Sequence, residues 1–197
     1  DAEIVVLERG EDISFANCGL PYHIGQVIEE REKLLVQTPE AMEARFNIEV
    51  RIKNEVIDIN RDKQQVIIKN LDKGNEYRES YDYLVLSPGA EPIKPPLPGI
   101  DSENVFTLRN IPDTDRINNY IEKHQPESAV VVGAGFIGME MLENLQKRGI
   151  SVSLVEMLDQ VMSQFDYEMA AMIHNHLRTQ GVNLYLNNAL EKIEQKQ

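Results

Sequence analysis

The chain holds one cysteine, Cys18, in 197 residues. An internal disulfide framework is excluded, and a reducing compartment, the cytoplasm, is expected. Positive charge is also scarce: 20 lysines and arginines against 33 aspartates and glutamates leave a formal net charge of −13. That argues against nucleic acid or an anionic membrane surface as partner, since both need basic patches. No apolar run approaches the roughly 18 residues of a membrane helix, and no signal-peptide pattern opens the chain. Metal chemistry is not expected either. His124, His174 and His176 form no ligand constellation, and the last two, two apart on an expected helix, face different ways.

What is present can build a core. Hydrophobic residues make up 42% of the chain, and its length suits one large domain or two small ones. AEIVVLE (residues 2–8) reads as a short buried strand ending in an acid. A loop and a short helix follow, around residues 18–27. TPEAMEARF starts a helix with Thr38 as N-cap and Pro39 at the first helical position. EVRIKNEVIDINRDKQQVIIKN alternates apolar and polar residues across two strands, with a polar turn at residues 60–63. After a turn at Asp72, Lys73 and Gly74, YRESYDYLVLS returns as a strand, completing an antiparallel meander. The proline-rich PGAEPIKPPLPGI (88–100) cannot be regular structure.

Beyond Ile111 the rhythm changes. The helix PDTDRINNYIEKH leads to the strand SAVVVGAG, the helix FIGMEMLENLQKRG, the strand ISVSLVE, the helix DYEMAAMIHNHLRTQG and the strand VNLYL. Strand and helix in alternation imply a parallel sheet wrapped by helices.

VVVGAGFIG carries the first chemical signal: Gly133, Gly135 and Gly138 form a G-x-G-x-x-G after a strand and at the start of a helix. Gly133 permits a tight turn, Gly135 lets the backbone approach a pyrophosphate, and Gly138 lets helix and strand pack closely. The helix N-terminus adds unpaired N–H groups and about half a positive charge. Glu156, 23 residues beyond the first glycine, is placed to accept hydrogen bonds from a ribose diol. A carboxylate there disfavours a 2′-phosphate, so NADH is expected over NADPH. Glu8 closes a similar strand, with no glycine turn before it. A dinucleotide half-site needs about 30 residues upstream of such an acid, so the sequence reads as an internal piece of a longer protein. The alternative is that Glu8 is a solvated strand end.

SFANCGLPYHIG (14–25) surrounds Cys18 with small and polar neighbours, Ala16, Asn17 and Gly19. By default a lone cysteine is a small buried hydrophobe, and a reactive one needs exposure. Here the segment resembles the active site of the coenzyme A disulfide reductases, the single-cysteine branch of the flavin-dependent pyridine nucleotide-disulfide oxidoreductases. YDYLVLSPGAEPIKPPLPGI resembles the family's return to the flavin site, FTLRNIPDTDRI its link into the nicotinamide domain, and VVVGAGFIGMEMLENL the opening of that domain. The resemblance implies two Rossmann-like α/β domains. Residues 1–109 would form an FAD-binding domain, incomplete and carrying the meander, and residues 110–197 an NAD(P)H-binding domain.

By the same resemblance Cys18 is the redox nucleophile, and Ser14 and Asn17 lie at the coenzyme A site. Glu8, with Arg9 beside it, binds the flavin's adenosine ribose, and Ser87, Pro88 and Gly89 lie against FAD. Gly133, Gly135, Phe136, Ile137, Gly138 and Glu156 hold NADH, with NADPH possible. The substrate implied is coenzyme A disulfide, and the full-length protein is expected to be a homodimer. One departure is visible: His23 follows Tyr22 where the family often has a second aromatic. Arg31, Lys33 and Arg45 are candidates for balancing an anionic substrate, or are solvated surface charges.

A dithiol enzyme of this superfamily needs a second cysteine about five residues away, but positions 13 and 23 are Ile13 and His23. The missing thiol must come from the substrate, as a mixed disulfide. Three rivals stay open: an NADH oxidase or peroxidase cycling a sulfenic acid, a persulfide or polysulfide reductase, and a nucleotide-binding piece without turnover.

Overall fold

The structure is a computed structural model that describes residues 2–194. The outermost ends of the two expected domains, residue 1 and residues 195–197, lie outside the described residues. In chain order the elements are β1 (Val5–Leu7), β2 (Ser14–Phe15), a 3-10 turn (Asn17–Gly19), α1 (Leu20–Ile24), a second 3-10 turn (Arg31–Leu34) and β3 (Leu35–Gln37). Then come α2 (Pro39–Phe46), β4 (Glu49–Arg51), β5 (Asn54–Asn60), β6 (Gln65–Asn70) and β7 (Glu76–Ser80). The remainder is α3 (Ile111–His124), β8 (Ser128–Val132), α4 (Phe136–Lys147), β9 (Ser151–Val155), α5 (Tyr167–Thr179) and β10 (Asn183–Tyr185). Among the described residues two compact units result: 2–16 with Leu35–Ala90, and Asn17–Leu34 with 91–194.

In the first unit β1 runs parallel to β4, with Val6 opposite Val50, and β2 pairs antiparallel with β3. The meander β5–β6–β7 is antiparallel throughout. Its turns are set by asparagines: Asn60 Oδ1 accepts from the Lys63 amide at 3.0 Å, and Asn70 Oδ1 from the Lys73 amide at 2.8 Å. Such side-chain-to-backbone bonds are what favour asparagine in turns. Thr38 caps α2, its Oγ1 accepting from the Ala41 amide.

Two expectations of the first unit need correction. The stretch read as two strands forms three, because Lys53 turns at φ +54° and frees Glu49–Arg51 to pair with β1 instead. The returning strand stops at Ser80, and residues 81–87 belong to no strand. YLVL is an apolar run suited to a strand with ladder neighbours, but no strand among the described residues pairs with it. Tyr83 and Val85 are accordingly 94% and 85% exposed.

The second unit holds a parallel three-stranded sheet in the order β10–β9–β8. Parallel neighbours need a crossover, and α4 and α5 supply it. The core gathers Ile117 and Ile121 of α3, Leu142 and Leu145 of α4, and Val152 and Leu154 of β9. α3 begins with a reciprocal cap: Asn110 Oδ1 accepts from the Asp113 amide and Asp113 Oδ2 from the Arg109 amide, both at 2.9 Å. α1 packs on α3 and α4 within this unit.

Candidate active site and nucleotide cradle

The glycine turn between β8 and α4 is built as its spacing requires. Gly133 adopts φ +97°, a region that side chains rarely enter, and its amide donates to the Val155 carbonyl at 2.8 Å. A Cβ on Gly138 would stand 1.9 Å from the Gly133 carbonyl oxygen, so only glycine lets α4 approach the turn this closely. A Cβ on Gly135 would meet nothing within 4 Å. That open space lies at the start of α4, where Gly135 is the N-cap and has no side chain to satisfy the first helical amides. Phe136 and Ile137 stand exposed at this end. Open room, unpaired N–H groups and a positive helix end together suit a pyrophosphate.

Glu156, half-buried at the end of β9, ties the cradle together. Its Oε2 accepts from the Ala134 amide at 2.7 Å and its Oε1 from the Leu158 amide at 2.9 Å. An ionised carboxylate has about four acceptor sites, so each oxygen can still receive a ribose hydroxyl. Ala134 also accepts, through its carbonyl, from the Met162 amide at 2.8 Å. These residues fit a nicotinamide dinucleotide.

The loop after Glu156 is held by a residue that sequence patterning left without a role. His174 is 3% exposed, and its Nε2 accepts from the Val161 amide at 3.1 Å. Burial pushes its pKa below the usual histidine value, helped by the charge of Arg178 and opposed by Asp159. No group of histidine, cysteine or acidic side chains suited to a metal occurs among the described residues.

Cys18 is exposed, in the 3-10 turn that runs directly into α1. Buried Leu20, Pro21 and Ile24 anchor the helix behind it. The turn is pinned by Asn17, whose Oδ1 accepts from Arg109 Nη1 at 3.0 Å. Arg109 had no signal in the sequence, since it lies 92 positions away. His23, the departure from the family pattern, donates its Nδ1–H to the Ile28 carbonyl at 2.6 Å. Of the basic candidates, Arg31 forms a two-oxygen pair with Asp115 at 3.1 Å, Lys33 pairs with Glu30, and Arg45 stacks over Phe46.

In the first unit, Glu8 is half-buried at the end of β1 and its Oε1 accepts from the Gly10 amide at 2.7 Å. Arg9 is exposed beside it, and Ser14 lies in β2. Ser87, Pro88 and Gly89 lie in exposed coil, with Gly89 at φ +72°. An acid at a strand end and a glycine-bearing coil suit one part of a flavin site. The described residues ahead of Glu8 contain no glycine turn.

The family described as Pyridine nucleotide-disulphide oxidoreductase matches residues 1–197. The chain belongs to that family. The family is one of FAD- and NAD(P)H-dependent disulfide oxidoreductases. The coenzyme A disulfide reductase of Staphylococcus haemolyticus is 40% identical over 194 residues, which is 98% of this chain and 43% of the relative. The reduced CoADR-RHD of Bacillus anthracis is 55% identical with a TM-score of 0.94, covering 98% of this oxidoreductase chain and 35% of that one. An NAD-dependent persulfide reductase from A. fulgidus is 38% identical with a TM-score of 0.93, over 98% and 37% of the two chains. A water-forming NADH oxidase from Lactobacillus brevis, bound to NADH, is 31% identical with a TM-score of 0.91, over 100% and 43%. The oxidoreductase chain thus spans less than half the length of its relatives. None of its described helices is long and apolar enough to cross a membrane.

Proposed function

We propose that the full-length protein reduces coenzyme A disulfide with electrons from NADH, through FAD and Cys18. The observation that carries this reading is an exposed lone thiol on a pinned turn, in a chain with no second cysteine to resolve it. Residues 1–109 are assigned to FAD and residues 110–197 to the nicotinamide cofactor. The protein is taken to be a homodimer, as the resemblance implies, and cytoplasmic, as its single cysteine suits.

Bound NADH and FAD would supply an electron pair and a proton at the thiol. The chain's own residues do the rest. Gly135 and the first amides of α4 seat the pyrophosphate, and Glu156 takes the ribose hydroxyls. The Cys18 thiolate attacks one sulfur of the substrate disulfide; a Cys18–substrate S–S bond forms, the substrate S–S bond breaks, and the first thiolate leaves with a proton from solvent. Two electrons and one proton then cleave the mixed disulfide, releasing the second thiol and restoring the Cys18 thiolate. Asn17 and Ser14 are the assigned contacts to coenzyme A, and Glu8, Arg9, Ser87, Pro88 and Gly89 those to FAD.

Anaerobic NADH turnover of the full-length protein, with coenzyme A disulfide, polysulfide and oxygen compared, tests the substrate. Coenzyme A disulfide should give the highest kcat/KM. Dominant oxygen reduction would assign Cys18 to a sulfenic acid cycle, and dominant polysulfide reduction to a persulfide reductase. Cys18→Ser should abolish disulfide turnover while NADH still bleaches the flavin absorbance; retained turnover removes Cys18 from its role.

A further inference from the structure

The rear end of α1 is gripped by the rear end of α4. Arg148, the C-cap of α4, donates Nη1–H to the Ile24 carbonyl at 2.9 Å and to Asn118 Oδ1 at 3.4 Å. Lys147 Nζ lies 5.9 Å from the centre of the Tyr22 ring. The tightest contact is made by Asn144, which is 0% exposed. Its Nδ2 donates to the Glu140 carbonyl at 2.8 Å, while its Oδ1 has no hydrogen-bond partner.

That oxygen is aimed at Gly25, the C-cap of α1. A Cβ on Gly25 would stand 2.1 Å from Asn144 Oδ1 and 2.7 Å from Asn144 Cβ and Cγ. Gly25 has φ −74°, so no backbone conformation demands glycine here. What demands it is contact. A buried carbonyl oxygen without a donor is unfavourable, and a Cα–H offers it only a weak partner. An apolar side chain would avoid the penalty, so packing alone does not account for asparagine at this place.

We infer that Asn144 and Arg148 are positioning residues that hold α1, and with it Cys18, against the helix whose opposite end forms the nucleotide cradle. α4 is 12 residues long, a rod of about 18 Å, with the pyrophosphate seat at one tip and the grip on α1 at the other. The two helices are tied at a backbone carbonyl, at an aromatic ring and at a glycine that leaves no space to slide. The inference rests on the reading of Cys18 as the redox nucleophile.

The test uses the full-length enzyme with Gly25→Ala, Asn144→Leu, Arg148→Met and Arg148→Lys. Each is assayed for disulfide turnover per bound flavin, KM for NADH, the single-turnover rate of flavin reduction, and the rate at which iodoacetamide alkylates reduced Cys18. Gly25→Ala should lower disulfide kcat about tenfold or more, because small misplacements of a reacting group carry large rate costs. Its alkylation rate should change with it, while KM for NADH and flavin reduction stay within about twofold. Arg148→Met should give a smaller loss of the same kind, and Arg148→Lys should recover part of it. If Gly25→Ala does not fold, Arg148→Met reads the same split. Variants that melt earlier but keep kcat and alkylation rate overturn the positioning role. Cys18→Ser separates the two readings: turnover retained there sinks the role of Cys18, whereas turnover lost there but kept in the grip variants sinks only the grip.

Discussion

Glu8 and Glu156 close two short parallel strands in the same manner, each carboxylate accepting the amide two residues further on. Only Glu156 also accepts from a glycine turn, through the Ala134 amide. The surroundings differ in the same sense. Val66 and Ile68 are the fully buried apolar side chains of the first unit among the described residues, whereas the second packs α3, α4 and α5 into one cluster. An acid at a strand end is thus a local device that any such strand can carry. A dinucleotide cradle is a cooperative one, in which the acid, the turn and the helix start hold each other.

The comparison breaks most sharply at Gly138. Gly138→Ala would force a methyl into the Gly133 carbonyl; we expect KM for NADH to rise about 100-fold, with roughly 1–3 kcal/mol of stability lost. Flavin content should not change, and a change there would mean that the two half-sites are not separable. Next comes the pair of acids. Glu156→Ala frees the Ala134 and Leu158 amides together and should destabilise the fold by about 1–3 kcal/mol, seen as a lower urea midpoint. Glu8→Ala frees one half-buried amide and should cost less, while lowering flavin retention. Equal losses would erase the distinction. Glu156→Gln should raise KM for NADH about tenfold and leave that for NADPH nearly unchanged, since the charge facing a 2′-phosphate is gone.

The smallest effect concerns acid. All four histidines fall in the second unit. His174 is buried with its pKa depressed, so the folded state binds fewer protons there than the unfolded chain. Its contribution is complete above about pH 6.5 and is lost as pH falls from there towards the depressed folded pKa. Tm should therefore decline through that window, more shallowly in His174→Gln, which keeps an acceptor for Val161 and does not titrate. A parallel decline in both would assign the acid response elsewhere.

Sequence legibility follows the same division between local and cooperative. The glycine turn, the Thr38 cap and the asparagine turns were readable because each is fixed by residues within a few positions. The pairing of β4 with β1 was not, because it joins residues such as Val5 and Glu49 that no local pattern relates. The run in residues 83–86 carries a strand's composition, yet composition cannot say whether a ladder partner is at hand. Asn17 was legible as a candidate through resemblance, but its anchor Arg109 was not. His174 looked inert because its two-residue spacing to His176 argues only against a shared metal and says nothing about burial.

The meander has a consequence for how the chain assembles. Its ladders join close neighbours, such as Asn60 with Gln65, whereas the parallel ladders wait for a whole helix or more to be threaded between partners such as Ser128 and Ser151. Closing a short loop costs less entropy than closing a long one. The hairpins of the first unit are therefore expected to register before any of the parallel pairs, a small early platform formed ahead of the sheet that the nucleotide requires.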